Sequence, residues 1–391
     1  MALRKKSPPR RQAGIALVVI IALLGIASGI LLVNVFSAAG LQNEKNRKDA
    51  EVLEKAKTAL IGRAASDDNR PGSLPCPDTN NDGSAEIFAG NDCPNYIGRL
   101  PWRTLGLPDL RDSSGERLWY ALSPAFRDNT SAQPINSNTK GTLLIYRADG
   151  TNLETAAGYN AVAVIFTPGN ILAAQSRGTT AEQNNPANYL DTANGRNNAT
   201  SSGPFIAGEK SATFNDRLLI ITTKELMPVV EQRVAGEVRR VLTSYYTDSG
   251  CDCYPWADSV AEFADYDSNE GLNRGWLPNH ALPVNWSGTF RPPSWFFNNE
   301  WYKLIYYSVA KNRTDDPGDC DSCIDNTLSI NGVSGVSALF FMPGTPIDTL
   351  IRAPDKLSDH LEDTENNDGA NDRYVTPTSQ FLDKDRLYRL P

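Results

Sequence analysis

The chain of 391 residues carries 38 Lys plus Arg against 46 Asp plus Glu, a net charge of −8, and two histidines, His280 and His360. Its length suits two or three domains, and five cations (Arg4, Lys5, Lys6, Arg10 and Arg11) precede the rest, leaving 33 basic against 46 acidic residues, a net −13, beyond them. So acidic a body argues against a nucleic-acid-binding surface, and two histidines leave little from which to build a His-based metal site or general base.

Behind the basic leader, 32 residues between Arg11 and Glu44 carry no charge, and residues 13–39 read AGIALVVIIALLGIASGILLVNVFSAA. About 20 apolar residues suffice to cross a bilayer as a helix, because hydrocarbon offers the backbone no hydrogen-bond partners. Five cations ahead of the stretch would keep the N-terminus cytoplasmic and send the acidic body outward. Two simpler readings are a secretory signal cleaved near Ser37-Ala38-Ala39 and an uncleaved generic anchor. The first is disfavoured because a signal's apolar region usually runs only about 7 to 15 residues.

The junction of basic leader and apolar stretch falls at Gly14-Ile15, and residues 15–21 read IALVVII. This edge resembles the class III leader of type IV pilins and type II secretion pseudopilins. The resemblance implies cleavage by prepilin peptidase between Gly14 and Ile15, N-methylation of the new terminus, and contact with other pilins or pseudopilins through residues 15–36. Ile15 stands where Phe or Met is common, and Val19 stands at the fifth mature position, where most pilins carry Glu. Certain minor members, including the tip pseudopilin of type II secretion and some minor pilins, lack this Glu, so the resemblance implies a minor subunit at the inner membrane, with its body periplasmic or on an extracellular filament.

After the apolar stretch, LQNEKNRKDAEVLEKAKTALIGRAA keeps good helix formers, and Leu53, Ala56 and Leu60 share one face by their spacing. A helix over 15–64 would be about 75 Å long. The remaining chain reads as two copies of one pattern. KAKTALIGRA (55–64) pairs with VAGEVRRVLTSYY (234–246), GRLPWRTLGLP (98–108) with RGWLPNHALP (274–283), and ERLWYALSPAF (116–126) with EWYKLIYYSVA (300–310). NAVAVIFTPGNIL (160–172) then pairs with SGVSALFFMPGTPI (334–347), and TFNDRLLII (213–221) with SQFLDKDRLYRL (379–390). The offsets are 182 for Trp119 and Trp301, 174 for Phe166 and Phe340, and 169 for Arg217 and Arg386. Each copy reads as a helix followed by short strands separated by Asn, Gly, Asp and Pro. The expected fold is therefore α+β: a leader (1–14), a long N-terminal membrane-spanning helix (15–64), and two duplicated pilin-like heads, 65–223 and 224–391, each a helix packed on an antiparallel sheet.

Six cysteines in an exported body favour disulfides. The simplest pairing joins Cys76 to Cys93 and leaves Cys251 and Cys253 to pair with Cys320 and Cys323 in either order. A four-thiolate zinc site from the latter four is the alternative. Asp78, Asn80, Asp82 and Gly83 match the first half of an EF-hand loop, but its twelfth position is Ala89, so calcium would need Glu86, Asp92 or carbonyls. Asp265, Asp267 and Asn269 repeat the theme. Asp/Asn/Gly turns are common without metal, and solvated turns are the favoured reading of both loops. There is no P-loop, zinc-protease helix or Ser/His/Asp spacing. No catalytic residue is assigned, no cofactor is required, and a structural subunit is expected in place of an enzyme. A membrane-anchored adhesin or enzyme unrelated to a filament is the alternative.

Overall fold

The computed structural model describes residues 13–129, 133–153, 161–248, 252–259, 272–278, 291–314, 327–346, 350–353, 356–368, 371–377 and 385–391, with the side chains of 13–39 and 248 outside the description. In chain order the elements are α1 (Ala13–Ser66), β1 (Ile97–Arg99), β2 (Trp119–Leu122), β3 (Ile145–Arg147), β4 (Ala161–Thr167), α2 (Thr180–Asn184), β5 (Thr192–Ala193), β6 (Arg196–Asn197), β7 (Phe205–Ala207) and β8 (Arg217–Thr222). There follow α3 (Thr223–Asp248), β9 (Arg274–Trp276), α4 (Ser294–Asn298), β10 (Tyr306–Val309), β11 (Leu328–Ile330), β12 (Val333–Val336), β13 (Ala338–Met342), β14 (Arg373–Tyr374) and β15 (Arg386–Arg389).

The chain is α+β, but the expected membrane-spanning architecture needs correction. Among the described residues no helix is long and apolar enough to cross a membrane. The described side chains of α1 begin at Gly40 and include Glu44, Lys45, Arg47 and Lys48, too much charge for hydrocarbon. The apolar stretch 15–36 lies where side chains are not described, as do those of Gly14, Ile15 and Val19. Two compact units divide the chain between Glu51 and Val52. In the first, Arg47 pairs with Glu44 and Glu51 along the exposed helix surface.

The second unit does not consist of two heads with separate cores. One cluster of buried side chains combines Leu53, Ala56 and Leu60 of α1, Tyr120 and Leu122 of β2, Val230, Val234 and Val241 of α3, and Ala338, Phe340 and Met342 of β13. The alternation of strands explains how both sheets contribute to it. Trp119 and Ala121 turn to the opposite face and a smaller cluster, and Leu339 and Phe341 turn to a third. At the start of helix α3 the Glu225 carboxylate accepts from the Thr222 N–H at 3.0 Å and from its hydroxyl at 3.1 Å. Lys57 of α1 donates to the same Glu225 at 2.5 Å and to the Ile220 carbonyl at 3.1 Å, tying α1 to the end of β8.

The two four-stranded antiparallel sheets have the chain-order sequences β1-β2-β4-β8 and β9-β10-β13-β15. Their hydrogen bonds correspond beyond the strands. Asp78 and Arg99 exchange N–H···O=C bonds of 2.9 and 2.6 Å, as Asp258 and Trp276 do at 2.9 and 2.8 Å. Leu74 donates to Phe126 at 2.7 Å, and Tyr254 to Arg313 at 2.7 Å. The side chain of Asn198 brackets the backbone of Ile206, and that of Asn366 brackets Val375.

These bonds set the register between the halves and shift two of the sequence pairings. Leu100 donates to Leu118 and Leu277 to Ile305, so Trp119 corresponds to Tyr306, and Trp301 falls in a 3₁₀ turn ahead of the strand. Phe166 sits opposite Trp119 and Phe341 opposite Tyr306, so Phe166 corresponds to Phe341 and not to Phe340. Arg217 and Arg386 keep their pairing, opposite Thr167 and Met342.

Gly98 and Gly275 occupy equivalent positions where the Asp78 and Asp258 segments cross the sheet edge. A Cβ on Gly98 would stand 2.6 Å from the Asp78 carbonyl oxygen, and one on Gly275 would stand 1.9 Å from that of Asp258. Backbone on both sides is hydrogen-bonded and has little room to yield. Gly98→Ala is expected to cost about 1–3 kcal/mol in a urea titration. An unchanged midpoint would show that the crossing has room for a methyl group.

Candidate anion-binding cleft

The residues singled out in the sequence lie in several places. Cys76 and Cys93 form a disulfide with S–S 2.01 Å and Cα–Cα 5.5 Å. Cys253 is also disulfide-bonded, which removes it as a zinc thiolate, while Cys251, Cys320 and Cys323 lie outside the described residues. Asp265, Asp267 and Asn269 lie outside them too.

The first acidic loop is described in full, and its side-chain oxygens accept bonds from groups of the protein. Asp78 accepts the N–H groups of Asn81 and Gly83 at 2.6 and 2.7 Å, Asn80 that of Asp82 at 3.0 Å, and Asp82 that of Ser84 at 2.7 Å. Glu86 accepts the N–H groups of Thr79 and Asn80 at 3.0 and 3.2 Å and the Thr79 hydroxyl at 2.8 Å. Asp92 accepts from the Tyr96 hydroxyl at 2.8 Å and pairs with Arg127 at 3.2 Å. The bonds that Asn80 and Asp82 accept from the N–H two residues on are Asx turns. Among the described residues no group of three or more His, Cys, Asp or Glu side chains is placed to hold a metal ion. Burial lifts the Asp78 carboxyl above its ordinary range against the pull of the Gly83 and Asn81 N–H groups.

Beside this loop lies a polar cleft of about 350 Å³, lined by Asn81, Arg99, Arg111, Glu116, Arg117, Arg177, Gln183 and Tyr189. Strand β1 carries Arg99 into it, the loop before β2 carries Arg111, Glu116 and Arg117, and α2 with the turn after it carries Gln183 and Tyr189. Helix α2 is short but firmly capped by Thr179 and Glu182 in a reciprocal box, which holds Gln183 in place.

Three of the four arginines have carboxylate partners. Arg117 and Arg111 meet Asp109 at 2.9 and 2.7 Å, and Arg177 meets Glu116 at 2.7 Å. Arg117 also donates to the carbonyl and side-chain oxygens of Asn81, both at 2.7 Å, which fastens the acidic loop to the cleft wall. Arg99 differs. It is 4% exposed and forms no ion pair among the described residues; its Nη2 donates to the Gln183 carbonyl at 2.9 Å, and its buried Nε–H has no partner. Its guanidinium lies 4.7 Å from the Trp119 ring centre and 4.3 Å from that of Tyr189, and Arg177 lies 4.0 Å from the Tyr189 ring. Burial pushes the Arg99 pKa below its ordinary value, and the nearby Tyr189 and Glu116 offset this in part.

The other half shows what the fold itself requires at this position. Trp276 takes the place of Arg99 and packs its ring against Tyr306 at 6.3 Å and His360 at 4.7 Å, the counterparts of Trp119 and Tyr189. His360 is buried there, its pKa pushed down to about 4 by burial and the Arg352 charge. The aligned blocks GRLPW and RGWLP already set Arg99 against Trp276 in sequence; the difference between the aligned residues was the available signal. No protein-family model, curated protein or solved structure matches the chain.

Proposed function

We propose that the chain is a minor pilin-like or pseudopilin-like structural subunit, acting at the tip or in the initiation of a type IV pilus or type II secretion filament. The observation that carries this reading is the basic leader ending in Gly14-Ile15 at the head of a 54-residue helix, α1, whose far end packs Leu53, Ala56 and Leu60 into the body. A pilin-type subunit needs that continuity: the segment exposed by prepilin peptidase must be mechanically joined to the part the filament displays. Residues 15–36 would meet other pilins or pseudopilins, and the body would reside on the periplasmic side of the bacterial inner membrane before assembly. Val19 in place of Glu suits a subunit that lacks a neighbour on one side, since that Glu is the group expected to pair with an adjacent N-terminus. The role assigned is structural and requires no cofactor.

The test is Gly14→Val in a host with active prepilin peptidase. Mass spectrometry should show the native chain beginning at N-methylated Ile15 and the variant unprocessed, with filament assembly lost. A native chain that keeps its leader, or one cut after Ala39, would overturn the assignment.

A further inference from the structure

A filament role makes no use of the arginine cleft, and four observations indicate that it is built for a ligand. The cleft has room for a molecule of several heavy atoms. The Arg99 guanidinium is buried without a carboxylate partner among the described residues, which is costly, and its unpartnered Nε–H adds to the cost. The equivalent position in the other half holds Trp276, so the fold is satisfied by an apolar ring there and does not call for a cation. Arg111 remains half exposed at the cleft, with Nη2 on Asp109 at 2.7 Å and Nη1 on the Gly115 carbonyl at 2.9 Å, each Nη keeping a second N–H.

We propose that the cleft binds a small hydroxylated carboxylate of the uronic acid class, its carboxylate received by Arg99 and Arg111 and its hydroxyls by the acceptor oxygens of Glu116 and Gln183. Guanidinium forks match carboxylates in plane and charge. The Glu116 carboxylate and the amide oxygens in the wall would repel a phosphate, which presents acceptors on every side, but they suit the hydroxyl donors of a sugar acid. The inference stands apart from the filament role, because binding and assembly are read by different measurements.

Calorimetric titration of the full chain with sodium galacturonate, with galactose and inorganic phosphate as parallel arms, tests it. Galacturonate should bind, and galactose and phosphate should not. Arg99→Gln should weaken galacturonate by about tenfold or more, the loss expected for one charge-assisted bond, with an unchanged circular dichroism spectrum. Should Arg99→Gln fail to fold, Arg111→Gln decides, since its side chain is 46% exposed: weakening of about threefold or more supports the site, and unchanged affinity overturns it. Absence of galacturonate binding, equal binding of galactose, or preference for phosphate would each overturn the proposal.

Discussion

Arg386→Ala is expected to destabilise the chain by about 3–5 kcal/mol, the cost of leaving a buried charge without its partner. Arg386 on β15 reaches Glu231 of α3 at 2.9 Å, and the Glu231 side chain is only 1% exposed. The other carboxylate oxygen of Glu231 accepts from the Ser137 hydroxyl at 2.5 Å. Burial lifts the Glu231 pKa, while Ser137, Arg386 and Arg352 pull it down. Without Arg386 the carboxyl must either stay charged in the core or take up a proton, and both are unfavourable at neutral pH. Urea denaturation measures the loss, and Glu231→Gln added to Arg386→Ala should recover most of it. A loss below about 1 kcal/mol would show that Ser137 and Arg352 suffice to hold the carboxylate.

Stability should fall as pH rises from about 5 to 8.5. Asp385 is buried, accepts the Glu362 N–H at 3.0 Å, and has its pKa raised to about 9 by burial and the neighbouring Glu362 charge. In the other half Asp216 accepts the Asp191 N–H at 2.7 Å and is pushed well above its ordinary value by burial and then by Asp191. A carboxyl raised on folding keeps its proton where the unfolded chain has lost it. Between the ordinary carboxyl value and about 9 the folded state therefore binds more protons, and each unit of rising pH lowers stability. The stabilising contribution is complete below the unfolded pKa and lost as pH passes the folded one. Scanning calorimetry should show a melting temperature lower by about 5 °C or more at pH 8.5 than at pH 5. Asp385→Asn, which mimics the neutral acid, should flatten the profile, and a native chain with no slope over this window would refute the assignment.

Both predictions concern groups whose roles were hidden in the sequence. Arg386 was visible as the partner of Arg217 in a repeated block, but its bond to Glu231 joins residues separated by 155 positions. Asp216 and Asp385 each stand next to that same arginine pair, yet nothing local distinguishes a buried acid from a solvated one. The aromatic match of Trp119 with Trp301 misled for a related reason: side-chain identity is a weaker guide to register than the backbone ladder, where Leu100 and Leu277 select Leu118 and Ile305. Leu53, Ala56 and Leu60 were legible because helical spacing alone brings them to one face, and all three are buried.

By itself the sequence determined the short-range features: the basic leader and uncharged stretch, the apolar stripe late in α1, the helix-then-strand pattern of each half, and the Cys76–Cys93 pairing across a 17-residue separation. Each depends on periodicity, composition or loop length, quantities that neighbouring residues carry. Only the tertiary structure decided that both sheets share one core and that Arg99 stands in a cleft with Tyr189 and Gln183 without an ion pair among the described residues, while Trp276 fills the equivalent place in the other half. Burial and the absence of a counter-charge are properties of everything packed around a residue. Arg99 acquires them from segments up to 90 positions away, which approach it only when the chain folds.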